Sequence, residues 1–309
     1  MRAVIYRSVG TPEVIEVAEV ALPEPGLFKV RIKVEAAALN PADVAAWSGR
    51  FPAPPEGSYF GLGWDLAGTV DAVGPGVAWK VGTPVIAIVQ GATGTVRAQG
   101  EYAIVRTNAL AEAPGGVDAA HASTIPLNGL TAAQSVELLG LDEGQSVFIT
   151  GAAGAVGGYA VQLAKRRGLT VIASARAEDE EFVTAVLGAD TFVPATADPS
   201  GAVQQLYPDG VDAVLDTARL GTVVIRAVKD GGTFVTTRMD ALPEPERGIR
   251  IRLTQVSPDA AMLTTLSDLA TAGTLVLRVA QTYPLDKAAK AHARLAEGGL
   301  RGRLVLTVG

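Results

Sequence analysis

One stretch constrains the fold of this chain more than any other: SVFITGAAGAVGGYAVQLAKRRG, from Ser146 to Gly168. An apolar run, Val147 to Thr150, leads straight into Gly151-Ala-Ala-Gly154-Ala155-Val156-Gly157, and a helical pattern follows at once. Each glycine has its own physical task. Gly151 permits the sharp turn out of the strand, Gly154 lets the backbone approach a pyrophosphate, and Gly157 allows close packing of helix on strand. The helix start, at Ala155, Val156 and Gly157, presents unpaired N–H groups and the positive end of the helix dipole to phosphate oxygens. A glycine motif alone is weak, but a strand before it and a helix after it supply the context a dinucleotide-binding turn requires.

The surrounding pattern extends this unit. From about Gly129 onward, helical and buried-strand segments alternate: TAAQSVELLGL, SVFITGA, GGYAVQLAKRRG, TVIASA, EEFVTAVLG, DTFVPA, DAVLDTA, TVVIRAVKD (read as a helix) and GTFVTT. Strands separated by helices of roughly ten residues predict a parallel, doubly wound α/β sheet of the Rossmann type. Residues from Met1 to about Gly115 differ, reading as short β-rich runs such as KVRIKVEAAAL and LAGTVDAVG with Gly/Pro punctuation. That block predicts a small β-barrel. The expected division is 1–117 for the barrel, 118–256 for the nucleotide domain, and 257–309 for a tail returning to the barrel.

The end of the second strand selects the cofactor. Folds that bind NAD place Asp or Glu there for the ribose 2′-OH. Here TVIASA ends in Ser174-Ala175-Arg176, and the first carboxylate is Glu178. A hydroxyl and a guanidinium suit a 2′-phosphate, so NADP(H) is expected. The acids from Glu178 to Glu181 are read as the solvated first turn of a helix. Thr217, and Thr236 to Arg238, follow later strands, where open α/β sheets bind ligands. Thr217, Thr236 and Arg238 are therefore expected cofactor contacts.

Composition removes other functions. With no cysteine, disulfides, thiolate chemistry and Cys-ligated zinc are excluded, and the only histidines are His121 and His292. No metal site is expected. A net charge of −6 without a basic run argues against nucleic acid or an anionic membrane surface as partner, and no apolar stretch is long enough to span a bilayer. The start, MRAVIYRSVG, reads as a strand rather than a signal, which leaves a cytoplasmic enzyme as the expectation.

Several fragments in order together resemble the medium-chain dehydrogenase/reductase superfamily, in its zinc-free quinone oxidoreductase (zeta-crystallin-like) branch. They are Asn40-Pro41-Ala42-Asp43, Gly63-Trp64-Asp65-Leu66-Ala67-Gly68-Thr69-Val70, Pro126 to Ala132, Gly151 to Gly157, Leu187-Gly188-Ala189-Asp190, and Gly302-Arg303-Leu304-Val305-Leu306. Gly63-Trp64-Asp65 stands where zinc-dependent relatives carry Gly-His-Glu. The resemblance implies a GroES-like catalytic domain formed by both chain ends, with NADPH bound in the cleft beside it. It also implies a homodimer or homotetramer and an electrophilic small-molecule substrate, a quinone or an α,β-unsaturated carbonyl. Enoyl-thioester reduction and non-catalytic NADPH binding are the alternatives. The closing segment adds Arg303 to the implied cofactor contacts.

The same resemblance exposes a departure. Many relatives carry a Tyr shortly after Asn-Pro-x-Asp, whereas this chain has Val44-Ala45-Ala46-Trp47 and Arg50-Phe51. Asn40 is then the expected catalytic donor and a cofactor contact, against the simpler reading of an Asx turn before Pro41. Thr131 is expected either at the nicotinamide or as a helix N-cap. Asp65 binds a ribose or substrate, or only shapes its turn. Trp47, Phe51, Tyr59 and Trp64 form an apolar wall for a flat substrate, or else ordinary core.

Overall fold

The strand expected before the glycine turn is Ser146–Thr150, and it is the first of six parallel strands in the computed structural model, which describes all 309 residues. The others are Thr170–Ala175, Thr191–Pro194, Val211–Asp216, Val228–Thr236 and Arg250–Leu253. Across the sheet their order is third, second, first, fourth, fifth, sixth, every neighbouring pair parallel. This is the doubly wound dinucleotide-binding order, reversing between Ser146–Thr150 and Val211–Asp216. Phe148, Ile149, Val214, Leu215, Phe234 and Val235 are fully buried, as strands covered on both faces require.

The chain divides into Met1–Leu127 with Ser257–Gly309, and Asn128–Val256. The first boundary therefore follows Leu127 rather than residue 117. The reason is the short helix Ala119–Ala122, capped by Asp118, which packs on the barrel strands Lys29–Ala38 and Asp65–Val73.

Two local readings also change. TVVIRAVKD is not an α-helix: it makes two single 3-10 turns, Gly221–Val223 and Ile225–Ala227, then enters the strand Val228–Thr236. Its run of β-branched residues loses side-chain freedom in a helix, and Val224, Ile225 and Val228 gain more by burial in the core under the sheet. EEFVTAVLG closes as one wide π-helical turn, Phe182–Val186.

In the other unit, Arg2–Tyr6, Ile15–Glu19 and Phe60–Gly61 make a small antiparallel sheet. A seven-stranded sheet is organised around Lys29–Ala38, which pairs antiparallel with Asp65–Val73, Tyr102–Arg106 and the closing strand Arg303–Thr307. Two register irregularities, at Arg31/Ile32 and Val34/Ala36, let this one strand serve several partners. Val305 opposite Ala38 joins the two ends of the chain in one sheet. The core beneath gathers Tyr6, Leu39, Trp47, Leu62, Tyr283, Leu304 and Leu306.

Candidate active site

The glycine turn can be tested by what a side chain would meet. A Cβ on Gly157 would lie 2.2 Å from the Gly151 carbonyl oxygen, a contact no real Cβ makes. Gly151 has φ +64° and would push a Cβ to 2.8 Å from Thr217 Oγ1. Gly154 is the N-cap of the helix Ala155–Arg166, in extended conformation and without a side-chain cap. The N–H groups of Ala155, Val156 and Gly157 therefore have no intrahelical acceptor. Tight glycines, uncapped donors and the helix dipole together fit a dinucleotide pyrophosphate.

The strand ends around this turn are held by hydroxyls and one carboxylate. Thr150 Oγ1 donates to Asp216 Oδ1 at 2.7 Å, and Thr217 Oγ1 donates to the Thr150 carbonyl at 2.6 Å. Asp216 is fully buried and also accepts the N–H groups of Ala218 and Gly221. Thr217 thus locks the first and fourth strands together at the switch point, with its hydroxyl turned inward. Thr236 is buried, its hydroxyl accepting the Arg238 N–H at 3.2 Å. The Arg238 guanidinium faces Asp240, which Arg219 shares. Arg238 is thus already paired with a carboxylate.

At the second strand, the Ser174 carbonyl accepts the Ala152 N–H at 2.9 Å, which ties the strand end to the glycine turn. Ser174 and Ala175 are buried, while Arg176 is exposed, beside the 3-10 turn Ala177–Asp179. Thr131 lies in the second turn of the helix Pro126–Leu138, its carbonyl accepting Ser135 Oγ at 2.6 Å. It is therefore not an N-cap.

The other unit holds a buried polar network around Asn40. Asn40 caps the helix Pro41–Trp47 in a capping box with Asp43, its N–H donating to Asp43 Oδ2 at 2.7 Å. Its carboxamide nitrogen donates to the Ala38 carbonyl at 3.2 Å and to Asp65 Oδ2 at 2.8 Å. Asp43 Oδ1 accepts Gly63 N–H at 2.8 Å, and Asp65 Oδ1 accepts Leu127 N–H at 2.5 Å. Arg303 Nη2 bonds the Leu39 carbonyl and meets Asp65 at 3.3 Å, while Nη1 is buried with no partner.

Arg97 is 2% exposed and donates to the carbonyls of Gly63, Val89 and Gln90 at 3.1–3.2 Å, with its guanidinium 4.2 Å over Trp64. Burial pushes Asp43 up to about 7 and Asp65 up to about 6, against the pull of Arg97 and Arg303 respectively. Burial also lowers Arg97 to about 10.

His292 sits between Trp47 and Gln99. An indole nitrogen only donates, so Nδ1 accepts from Trp47 at 3.3 Å and Nε2 carries the proton toward Gln99 Oε1 at 2.8 Å. This assigns a neutral ring, and burial holds its pKa down to about 3.

This geometry corrects the reading of Asn40. The residue is 1% exposed and its carboxamide N–H groups point at Ala38 and Asp65, so it acts as cap and bridge rather than as a donor to substrate. Nor do the four aromatics make one wall. Trp47 is core against His292, Phe51 lies 6.3 Å from Trp64, and Tyr59 lies under Arg7 instead. The reading missed Asp43, Arg97 and His292. The Asn40-x-x-Asp43 spacing is a capping-box signal for the first, and nothing local marks the other two.

Residues 26–127 match the family model described as alcohol dehydrogenase GroES-like domain, and residues 187–306 the one described as zinc-binding dehydrogenase. A crystal structure titled as an NAD-dependent alcohol dehydrogenase superposes with a TM-score of 0.88, at 32% identity and over 100% of both chains. A chloroplastic quinone-oxidoreductase homolog of Spinacia oleracea is 36% identical over 62% of this chain and 60% of its own length. A chloroplastic NADPH-dependent alkenal/one oxidoreductase of Arabidopsis thaliana is 28% identical over 99% of this chain and 79% of its own. The chain belongs to the medium-chain dehydrogenase/reductase superfamily, in its quinone oxidoreductase branch, as its motifs suggested.

That fold implies a nicotinamide dinucleotide, which the glycine turn fits. Zinc, named in one family description, does not fit. The chain has no Cys, both His292 nitrogens are bonded, and no three His, Asp or Glu side chains converge to hold an ion. No helix is long and apolar enough to cross a membrane.

Proposed function

We propose that this chain is an NADPH-dependent oxidoreductase reducing quinones or α,β-unsaturated carbonyls without zinc. The observation that carries the cofactor choice is the second strand's end. Arg176 stands exposed one residue past Ala175, where an NAD-binding chain would carry an acid that repels a 2′-phosphate. The names of the spinach and Arabidopsis relatives support the substrate class.

The bound cofactor supplies the hydride; the protein positions and shields it. Backbone N–H groups of Ala155, Val156 and Gly157 hold the pyrophosphate, and Arg176 takes the 2′-phosphate by charge-assisted bonds. Asn40 is a positioning residue that fixes Asp65 and the helix Pro41–Trp47. With its carboxamide directed inward, it offers no stabilising hydrogen bond to a product oxyanion. Quinones, whose reduced anion is stabilised by aromatisation, are therefore the better substrates within the class.

Purified protein incubated with NADPH and a panel of quinones, alkenals, enoyl thioesters and simple alcohols tests the reading. Quinone turnover that persists in a strong chelator is the expected result. Zinc-restored alcohol oxidation with NAD, and none with quinones, would move the chain to the activity named for its structural relative.

A further inference from the structure

The β-rich unit carries a second concavity, apart from the Asp43–Asp65 network. It measures about 250 Å³, with Lys29, Arg97 and Arg106 in its lining, an apolar wall that includes Ile88, Val96 and Ile104, and no carboxylate. Lys29 and Arg106 are direct register partners on the antiparallel strands Lys29–Ala38 and Tyr102–Arg106. Like charges placed opposite each other destabilise a strand pair. Elsewhere on the same strand the chain avoids this: Arg31 is bonded to both Glu24 and Asp71. Lys29 and Arg106 have no such acid. The third cation, Arg97, bonds only neutral carbonyls, which leaves its charge without a carboxylate in contact.

We infer that this cavity binds a small organic anion, its carboxylate or phosphate head between Lys29, Arg97 and Arg106 and its short apolar body against Ile88, Val96 and Ile104. A ligand with that head removes the repulsion that the empty strand pair carries. The apolar wall adds hydrophobic burial that a bare inorganic ion cannot use. The volume lies below the ~300–1,000 Å³ of drug-sized sites, so the ligand is short. The inference stands independently of the reductase reading.

Calorimetric titration of the whole protein at low ionic strength tests it, with hexanoate, hexan-1-ol and inorganic phosphate as probes. Hexanoate should bind saturably, at least ~10-fold tighter than either of the others, because only it satisfies both cations and wall. The double variant Lys29→Gln/Arg106→Gln should weaken hexanoate by ~10-fold or more. Both side chains reach solvent, so the fold should persist, and without ligand Arg106→Gln should melt at a higher temperature than the unaltered protein. Hexanol binding as well as hexanoate, or hexanoate binding unchanged in the double variant, would overturn the site. Phosphate binding as tightly as hexanoate would overturn the amphipathic ligand.

Discussion

The two units solve the problem of a functional site by opposite means. Around Gly151 to Gly157 the nucleotide unit uses main chain: three glycines, uncapped N–H groups and strand ends joined by hydroxyls. The β-rich unit uses side chains, joining Asn40, Asp43, Asp65 and Arg303 in one buried network and burying Arg97 and His292 among partners of their own. Main-chain sites tolerate change in most side chains but not the addition of a single methyl group. Buried charge networks tolerate neither the loss of a partner nor a large change of pH.

The largest expected effect breaks the second strategy. Arg97→Met would keep the bulk beside Trp64 but leave the carbonyls of Gly63, Val89 and Gln90 without their donor and Asp43 without a nearby positive charge. A loss of about 3–5 kcal/mol in unfolding free energy is expected, because three largely buried carbonyls lose a charged donor at roughly 1–3 kcal/mol each. Adding Asp43→Asn should return part of it. Denaturant unfolding of the single and double variants measures both, and independent, additive losses would show that the two groups do not interact.

Next is the main-chain strategy. Gly157→Ala drives a Cβ into the Gly151 carbonyl, so the turn must shift. NADPH affinity should fall by ~100-fold, about 2.7 kcal/mol. Gly154→Ala, whose Cβ would sit 3.0 Å from the same oxygen, should do less structural harm. Fluorescence titration that ranks the two in reverse would show that phosphate approach, rather than helix packing, limits the site.

Arg176→Ala sharpens the comparison further, since it alters the one charged side chain assigned to the main-chain site. The preference for NADPH over NADH should narrow by ~10-fold, about 1.4 kcal/mol. Equal affinities for the two cofactors in the unaltered protein would leave Arg176 without that role.

The last effect is a slope. His292 is held near 3, so its contribution to stability is complete above 6.5 and is lost as pH falls toward 3. Asp43 and Asp65 have the opposite sign. Their pKa values are raised to about 7 and about 6, so their contribution is complete below about 3.8 and fades as pH rises through those values. Between roughly pH 4 and 6.5 the histidine therefore offsets one of the two acids. His292→Gln should remove that offset, changing the stability difference from the unaltered protein by about 1.4 kcal/mol per pH unit in that window. A pH-independent difference would mean that the ring already takes up a proton in the folded protein.

The same contrast explains what the sequence made legible. The nucleotide site is written in consecutive residues, so strand, turn, helix and the acid-free second strand could be read in order. The buried polar groups of the other unit come from positions 40, 43, 65, 97, 292 and 303, each an ordinary turn, strand or helix residue in its own neighbourhood. Only Asn40 and Asp43 share a local signal, and its structural meaning outweighed the catalytic one. TVVIRAVKD was misread because the strand–helix rhythm predicted a helix where β-branched residues and burial favour tight turns and a strand. Thr217 lay where ligands bind, but no sequence pattern tells whether a hydroxyl faces outward or, as here, back to the Thr150 carbonyl.

The pairing of Val305 with Ala38 has a consequence in time. On the ribosome, every strand of the sheet built on Ser146–Thr150 emerges before Arg303–Thr307 exists. The nested unit can complete its parallel sheet while its host still lacks a closing strand. Lys29–Ala38 must meanwhile wait with part of one edge unpaired, for a stretch of synthesis on the order of ten seconds or more at 5–20 residues per second. Such an edge is open to pairing with other chains, so the early, long strand rather than the glycine turn is where a nascent copy is most exposed to misassembly.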